Sequence, residues 1–481
     1  MVINSLSFLI FFVFVFALYY INVKWKRSVW QNVILLVASY FFYGYADFVM
    51  LPLFIGVTIV FYFLGLGIEK YLDTTKANWL MAVGVILGVG LLLYFKYANF
   101  FIGELARLGN AIGLHGNLHS LNILVPLGIS YFTFKLLSYL IEIHRGTMLA
   151  TRDFISFATY VAFFPCMLSG PIDRPDKFFP QLQKERVFNH ILTVDGLRQI
   201  LWGMFKKMAV ADTIAVFVDE QLAMNHLSQV SGSTMIFVFL AYTFQIYADF
   251  SGYSDMAIGV GKVLGIKVTP NFRYPFFALN IADFWHRWHI SLTSWMTDYV
   301  YLPLSFIFRG WRKWGLIVAI IINFVIVGMW HGAGWNYIIY GCYHGLLFVP
   351  LILLGTINTK VEIQTNKVGL PILRDLSRML LTFVFVCFGM MIFRTGSIDV
   401  FMTIVNQFGN NFLSIPEVGA KIAWLMVVVM MAVEWMQRKR EYGLEISNIP
   451  YRSVRWIIYL ALLMVIYCRG GGEQHFIYQV F

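Results

Sequence analysis

The sequence predicts an all-α polytopic membrane protein, and three observations carry that expectation. The 481 residues are 59% hydrophobic, with a mean hydropathy of +0.71, and 13% are charged, against about a quarter in soluble chains. Apolar runs near the length of a bilayer crossing, roughly 17–25 residues, recur from end to end. These runs lack the alternating pattern of a membrane barrel strand.

In chain order the runs are Leu6–Ile21, Asn32–Gly44, Phe48–Ile68, Ala77–Phe95, Leu121–Ile143, Ile200–Val218, Thr234–Asp249, Gly315–Met329, Tyr337–Gly355, Met379–Phe393, Ala423–Val433 and Val454–Cys468. Several are short, which suits tilted, re-entrant or protein-buried helices. Together they predict roughly a dozen transmembrane or re-entrant helices. The N-terminus lacks a basic region and a small-residue cleavage site ahead of the next span, so no cleavable signal is expected. Lys24, Lys26 and Arg27 follow the first helix. By the positive-inside rule they place the N-terminus outside.

Net charge is +11, but Lys and Arg are scattered through loops such as "RGWRK" (Arg309–Lys313) and "QRKRE" (Gln437–Glu441). That pattern fits loops beside anionic membrane lipid rather than a nucleic-acid partner. Cys166, Cys342, Cys387 and Cys468 sit in apolar surroundings with no C-x-x-C. Neither a disulfide framework nor a zinc site follows. Cys166 reads as a small buried hydrophobe, with a thioester carrier as the alternative.

No linker, low-complexity tract or internal repeat divides the chain. We read one domain over 1–481, with N-terminal helices over 1–125, a functional core over about 126–345 and C-terminal helices over 346–481. In the core, polar residues, prolines and glycines punctuate the apolar runs. Such residues are costly at membrane depth unless they face protein or a water-filled cavity. The chain closes on "RGGGEQHFIYQVF", a glycine-rich turn and an aromatic tail suited to a membrane interface.

"IADFWHRWHISLTSWMTDYVYLPL" (Ile281–Leu304) reads as an interfacial helix. Helical spacing sets His286 and His289 on one face and lets Asp283 pair with Arg287. Trp285, Trp288 and Trp295 predict an aromatic belt at headgroup level. His286 reads as merely wet, His289 as functional. No third ligand at suitable spacing completes a metal site with the two histidines.

"GMWHGAGWNY" (Gly328–Tyr337) sets His331 between Gly328 and Gly332, and Gly341 and Gly345 repeat the spacing around His344. Small residues at that spacing admit a close helix neighbour. They do not explain an imidazole. An ionisable residue in an apolar segment is a functional candidate, and a neutral His331 suits deprotonation of a hydroxyl. His344 reads as a core histidine. "SGPIDRP" (Ser169–Pro175), with Asp173 and Arg174 between prolines, predicts a loop or re-entrant turn. "YADFSGYSDMAIG" (Tyr247–Gly259), with Asp249, Ser251, Ser254 and Asp255, predicts a broken helix. Both segments suit either a polar cavity or cap-and-turn chemistry. No nucleophile elbow, phosphate-binding loop or dinucleotide fingerprint occurs in a plausible context, which argues against a serine hydrolase of that type and against an ATPase.

The segments "PLGISYFTFKLLSYLIEIHRG", "FFPCMLSGPIDRPDKFFPQL", "WGMFKKMAVAD", "FQIYADFSGYSDMAIGVGKVLGI", "NFRYPFFALNIADFWHRWHISLTSWMTDYVYLPL" and "GMWHGAGWNYIIYGCYHG", with the tail, resemble the membrane-bound O-acyltransferases. More narrowly, they look like the bacterial branch of alginate and peptidoglycan O-acetyltransferases and teichoic-acid D-alanyl transfer proteins. Length and "FKKMAVAD" favour the alginate type. After "YLPL" the chain departs from that type, reading "SFIFRGWRKWG" where many members carry a glycine- and asparagine-rich basic loop.

The resemblance implies a ring of helices around a thinned centre, with a tunnel joining the two membrane faces. It implies His331 as the active-site histidine and His289 as its polar companion, with Trp330 and Asn336 flanking. Trp285, Trp288, Asp255 and Arg174 are tunnel-lining candidates. It implies no bound cofactor and an acyl thioester donor such as acetyl-CoA, approached from the cytoplasm across a bacterial inner membrane. The acceptor would be an extracytoplasmic polysaccharide, reached directly or through a partner such as a separate acetyltransferase or a polysaccharide-secretion protein. His289, as a hydrogen-bond donor, would orient the donor carbonyl or stabilise its oxyanion; a covalent acyl-histidine relay is the alternative. D-alanyl transfer to teichoic acid, a transporter with midplane sites and a non-catalytic scaffold are the rival readings.

Overall fold

The structure, a computed structural model, describes residues 1–21, 27–113, 120–224, 226–359 and 361–469. Lys24, Lys26 and residues 470–481 of the tail lie outside them. Every apolar run of the sequence contains helix, and the described residues contain no strand. By length and composition, six described stretches suffice to cross a bilayer: Leu51–Lys70, Thr75–Ala111, Gly232–Val263, Lys313–His331, Trp335–Leu353 and Leu373–Arg394. Others are apolar but shorter, such as Leu6–Tyr20. Within the span read as one domain, the chain gathers into two compact units.

The first unit comprises Met1–Leu197 and Ala257–Thr269. Its helices are α1 (Leu6–Tyr20), α2 (Arg27–Ala46), α3 (Leu51–Lys70), α4 (Thr75–Leu92), α5 (Ala98–Ala111), α6 (Ile129–His144), α7 (Phe154–Ala162) and α8 (Pro175–Gln183). The sequence placed the start of α6 near Leu121. The structure moves it to Ile129, because Pro126 cannot supply a helical N–H and Gly128 adopts φ +68°. A side chain at Gly128 would collide with the Met167 carbonyl. Arg186 ties this unit together from a buried position. Its Nε donates to the Tyr19 hydroxyl at 2.7 Å, one Nη to Asn32 Oδ1 at 2.7 Å, and the other Nη to the carbonyls of Gln181 and Leu182. A guanidinium so saturated replaces the water it loses.

The second unit comprises Arg198–Met256 and Pro270–Phe481. Across the boundary and through this unit run α9 (His190–Met204), α10 (Asp212–Gln221), α11 (Gly232–Val263), α12 (Ile281–Arg287), α13 (Ile290–Met296), α14 (Leu302–Ile307), α15 (Lys313–His331), α16 (Trp335–Leu347), α17 (Val349–Leu353), α18 (Leu373–Arg394), α19 (Ile398–Phe408), α20 (Lys421–Met436) and α21 (Arg452–Arg469). A π-helical turn, Phe205–Ala211, joins α9 to α10. It carries Lys206 and Lys207, both buried. Lys206 pairs with Asp255 at 2.5 Å, and Lys207 with Asp249 at 2.7 Å and Asp212 at 2.8 Å. These partners correct the expected break in "YADFSGYSDMAIG": α11 is continuous, because its carboxylates are satisfied sideways rather than by freed backbone groups.

The helix pair α15 and α16 meets through glycines, as the spacing predicted. A Cβ at Gly328 would collide with the Tyr337 carbonyl, one at Gly341 with the Phe324 carbonyl, and one at Gly345 would lie 2.9 Å from the Ile321 Cα. Gly328→Val therefore has no room. We expect it to cost about 1–3 kcal/mol or more, read as a lowered midpoint of thermal unfolding in detergent. Gly56→Ala, where nothing lies within 4 Å, is expected to leave that midpoint in place.

Candidate active site

His331 is the last residue of α15 and is buried. The next residue, Gly332, is extended at φ −172°, so the helix stops at the imidazole. A side chain at Gly332 would collide with the Tyr337 ring, which keeps the chain close to α16 as it turns. Phe393 of α18 stands edge-on to the His331 ring at 5.1 Å between centroids, and Tyr340 at 6.2 Å. Trp330 lies 4.9 Å from the His331 ring and 5.7 Å from the His289 ring. The two imidazoles singled out by the sequence are thus gathered around one indole.

His289 is not on the helix that the spacing suggested. α12 ends at Arg287, Trp288 is extended, and His289 is left-handed at φ 45°, ψ 51°, capping α13. His286 and His289 therefore do not share a helix face. His286 is exposed, as read from the sequence. A non-glycine residue in this conformation carries strain and persists only where its surroundings fix it. Here Asn271 fixes it. The Asn271 carbonyl accepts from the Ile290 N–H at 2.9 Å. Its side-chain oxygen accepts from the Ser291 N–H at 3.3 Å and the Ser291 hydroxyl at 2.9 Å, and meets His289 Nδ1 at 3.1 Å. Phe250 of α11 packs on His289 at 4.6 Å. His289 lies outside the six candidate spans, and burial pushes its pKa down to about 3. The ring is neutral at physiological pH.

Trp285, Trp288 and Trp295 are buried, which corrects the headgroup belt. Trp288 packs among Phe272, Phe284 and Tyr247, and Trp285 against Phe324 and His344. Their amphipathic spacing is met by an aromatic protein interior. The Asp283–Arg287 pair forms at 2.7 Å. Asn336 is buried in the first turn of α16, with its amide 3.4 Å from the Phe393 carbonyl. His344 is buried among Trp285, Tyr340 and Tyr343. Among the described residues neither of its ring nitrogens finds a hydrogen-bond partner, and Gly389 leaves room for the ring.

Asp255 is held by Lys206 and by the Gln199 amide at 2.8 Å. Arg174 belongs to the first unit, where it precedes Pro175 at the start of α8. Beside it, Asp173 accepts from the Thr269 N–H at 2.8 Å and hydroxyl at 2.7 Å. Burial raises the Asp173 carboxyl above the ordinary range, while the Lys135 ammonium and these hydrogen bonds pull the other way. "SGPIDRP" is non-helical up to Arg174, as its prolines require.

Sequence reasoning missed Asn271. Nothing local marks it, since its partner His289 lies 18 residues on. It also missed Glu434, whose carboxylate accepts from the Tyr247 hydroxyl at 2.8 and 2.9 Å. Among the described residues no cluster of three or more metal-ligating side chains occurs.

Residues 119–412 match the profile of the membrane-bound O-acyltransferase (MBOAT) family. The chain is 37% identical to a probable alginate O-acetylase (AlgI) of Pseudomonas aeruginosa, over 83% of this chain and 73% of the relative. It is 28% identical to the peptidoglycan O-acetyltransferase of Helicobacter pylori, over 93% and 85% respectively. It is 33% identical to the teichoic acid D-alanyltransferase of Bacillus subtilis, over 56% and 69%.

The burial of Trp288 and the exposure of His286 have opposite consequences. Trp288→Ala is expected to cost about 3–5 kcal/mol, as for other buried tryptophans. His286→Ala is expected to stay within about 0.5 kcal/mol. Thermal unfolding of both variants in detergent checks the contrast; a small shift for Trp288→Ala would restore the headgroup belt.

Proposed function

The chain belongs to the membrane-bound O-acyltransferase family, and from that premise we propose that it moves an acetyl group from a cytoplasmic thioester donor to an extracytoplasmic polysaccharide hydroxyl. One observation carries the reading: two buried imidazoles, His331 and His289, both pack against the Trp330 ring. A thioester is already activated, so the transfer needs a base for the acceptor hydroxyl and a dry, shaped site. The hydroxyl proton passes to an imidazole nitrogen and the oxygen attacks the carbonyl carbon. The carbon–sulfur bond breaks, and the leaving thiolate takes up a proton. Aromatic walls from Trp330, Phe393 and Tyr340 keep water from competing for the acyl group.

The acetyl group is favoured because the relatives named as alginate and peptidoglycan O-acetylating enzymes match over more of the chain than the D-alanyl relative does. In this reading acetyl-CoA or another acyl thioester is the donor. A separate extracytoplasmic acetyltransferase or a polysaccharide-secretion protein completes delivery. The protein sits in a bacterial cytoplasmic membrane with its N-terminus outside.

The test is polymer O-acetylation in cells producing His331→Ala, with membrane levels matched to wild type. We expect ester content to fall by at least about 10²-fold, the scale of general-base catalysis. Retained acetylation would remove His331 from the chemistry and return the scaffold reading. A wild type that adds D-alanine esters and no acetyl esters would replace the acetyl group with D-alanyl.

A further inference from the structure

We infer that Asn271 is a positioning residue that locks His289 in the tautomer protonated on Nδ1, so that His289 presents the Nε2 lone pair as a hydrogen-bond acceptor. The inference rests on the acyl-transfer reading of the His289–His331 pair and assigns a direction to one of its members.

The assignment follows from donors and acceptors. Side-chain amides are ambiguous in orientation, but this one is fixed by the backbone. The Ser291 N–H always donates, and it lies 3.3 Å from Asn271 Oδ1, so that atom is the amide oxygen. The amide nitrogen then faces Ser254 Oγ at 3.2 Å, an acceptor on α11. An amide oxygen only accepts. The contact from His289 Nδ1 to this oxygen, 3.1 Å, therefore places a hydrogen on Nδ1. A neutral imidazole has one N–H, so Nε2 carries the lone pair.

Asn271 also holds the first N–H groups of α13, Ile290 through its main-chain carbonyl and Ser291 through Oδ1, so ring tautomer and the left-handed turn are set by one residue. Asn271 is fully buried, so water does not compete for its oxygen. The resemblance implied that His289 would donate to the carbonyl of the acyl donor. The geometry instead spends the single N–H of the neutral ring inside the protein. His289 Nε2 then accepts a hydrogen bond from the bound substrate, while His331 is the imidazole that takes the hydroxyl proton. Asn271 Oδ1 accepts from Nδ1 throughout the reaction, so the tautomer does not change. An amide holds the tautomer without adding a charge to a dry site. In a serine-protease triad a carboxylate orients the imidazole, and the wrong tautomer is costly there.

The test uses full-length protein labelled with 15N-histidine in lipid nanodiscs, observed by solid-state NMR at neutral pH. His289→Gln identifies the two His289 signals by difference. We expect a protonated Nδ1 and an unprotonated Nε2 in wild type, and loss of that single form in Asn271→Leu. In matched membranes, Asn271→Leu is expected to lose acyl transfer by about 10²-fold. Asn271→Asp keeps an acceptor oxygen and is expected to stay within about tenfold of wild type. A wild-type His289 protonated on Nε2, or an unchanged tautomer in Asn271→Leu, overturns the inference whatever the activity. An intact tautomer with full activity in His289→Gln overturns the catalytic reading on which it rests.

Discussion

Backbone contact between α15 and α16 is the constraint on which the candidate site depends. Gly328 and Gly341 bring each helix against a main-chain carbonyl of the other, nearer than any side chain permits. Without a hydrophobic drive between helices in lipid, close packing of this kind supplies much of the association. Because α15 is pinned along its length and Gly332 turns away in extended form, His331 is presented at a helix terminus rather than buried in a helix wall. Trp330, the residue before it, reaches the His289 ring at 5.7 Å.

The rest of the second unit solves a different problem, the cost of charge in an apolar chain. Breaking a buried ion pair by removing one partner costs about 3–5 kcal/mol, so charges inside must be matched. The π-helical turn at Phe205–Ala211 turns consecutive lysines toward different carboxylates, Lys206 to Asp255 and Lys207 to Asp249 and Asp212. π turns recur at functional segments. This one fastens α11 on one side, while Phe250 and Ser254 of the same helix serve His289 and Asn271. The ionic cluster thus stiffens the helix that backs the site.

Much of this was legible in the sequence. The apolar runs marked the helices, because a bilayer demands length and hydropathy together. The glycine pairs marked the α15–α16 contact, and His331 stood out because packing explains glycine and leaves an imidazole unexplained. What could not be read depended on partners distant in sequence. Trp285, Trp288 and Trp295 have the spacing of an interfacial belt, and only the aromatic neighbours in space show that they face protein. The break between α12 and α13 is invisible to periodicity, since Asn271, 18 residues earlier, stabilises the left-handed turn at His289. The continuity of α11 was hidden because the lysines that satisfy its carboxylates lie on another element.

In the proposed reaction this chain itself breaks the thioester, and the two histidines do it. The direct measurement is thiol release from an acetyl thioester by the purified protein in proteoliposomes, with a soluble oligosaccharide as acceptor. We expect thiol release matched by acetyl ester on the oligosaccharide, and background rates in the His289→Gln/His331→Ala double variant. A pure, folded wild-type protein that leaves the thioester intact, or a double variant that cleaves it as fast as wild type, would contradict it.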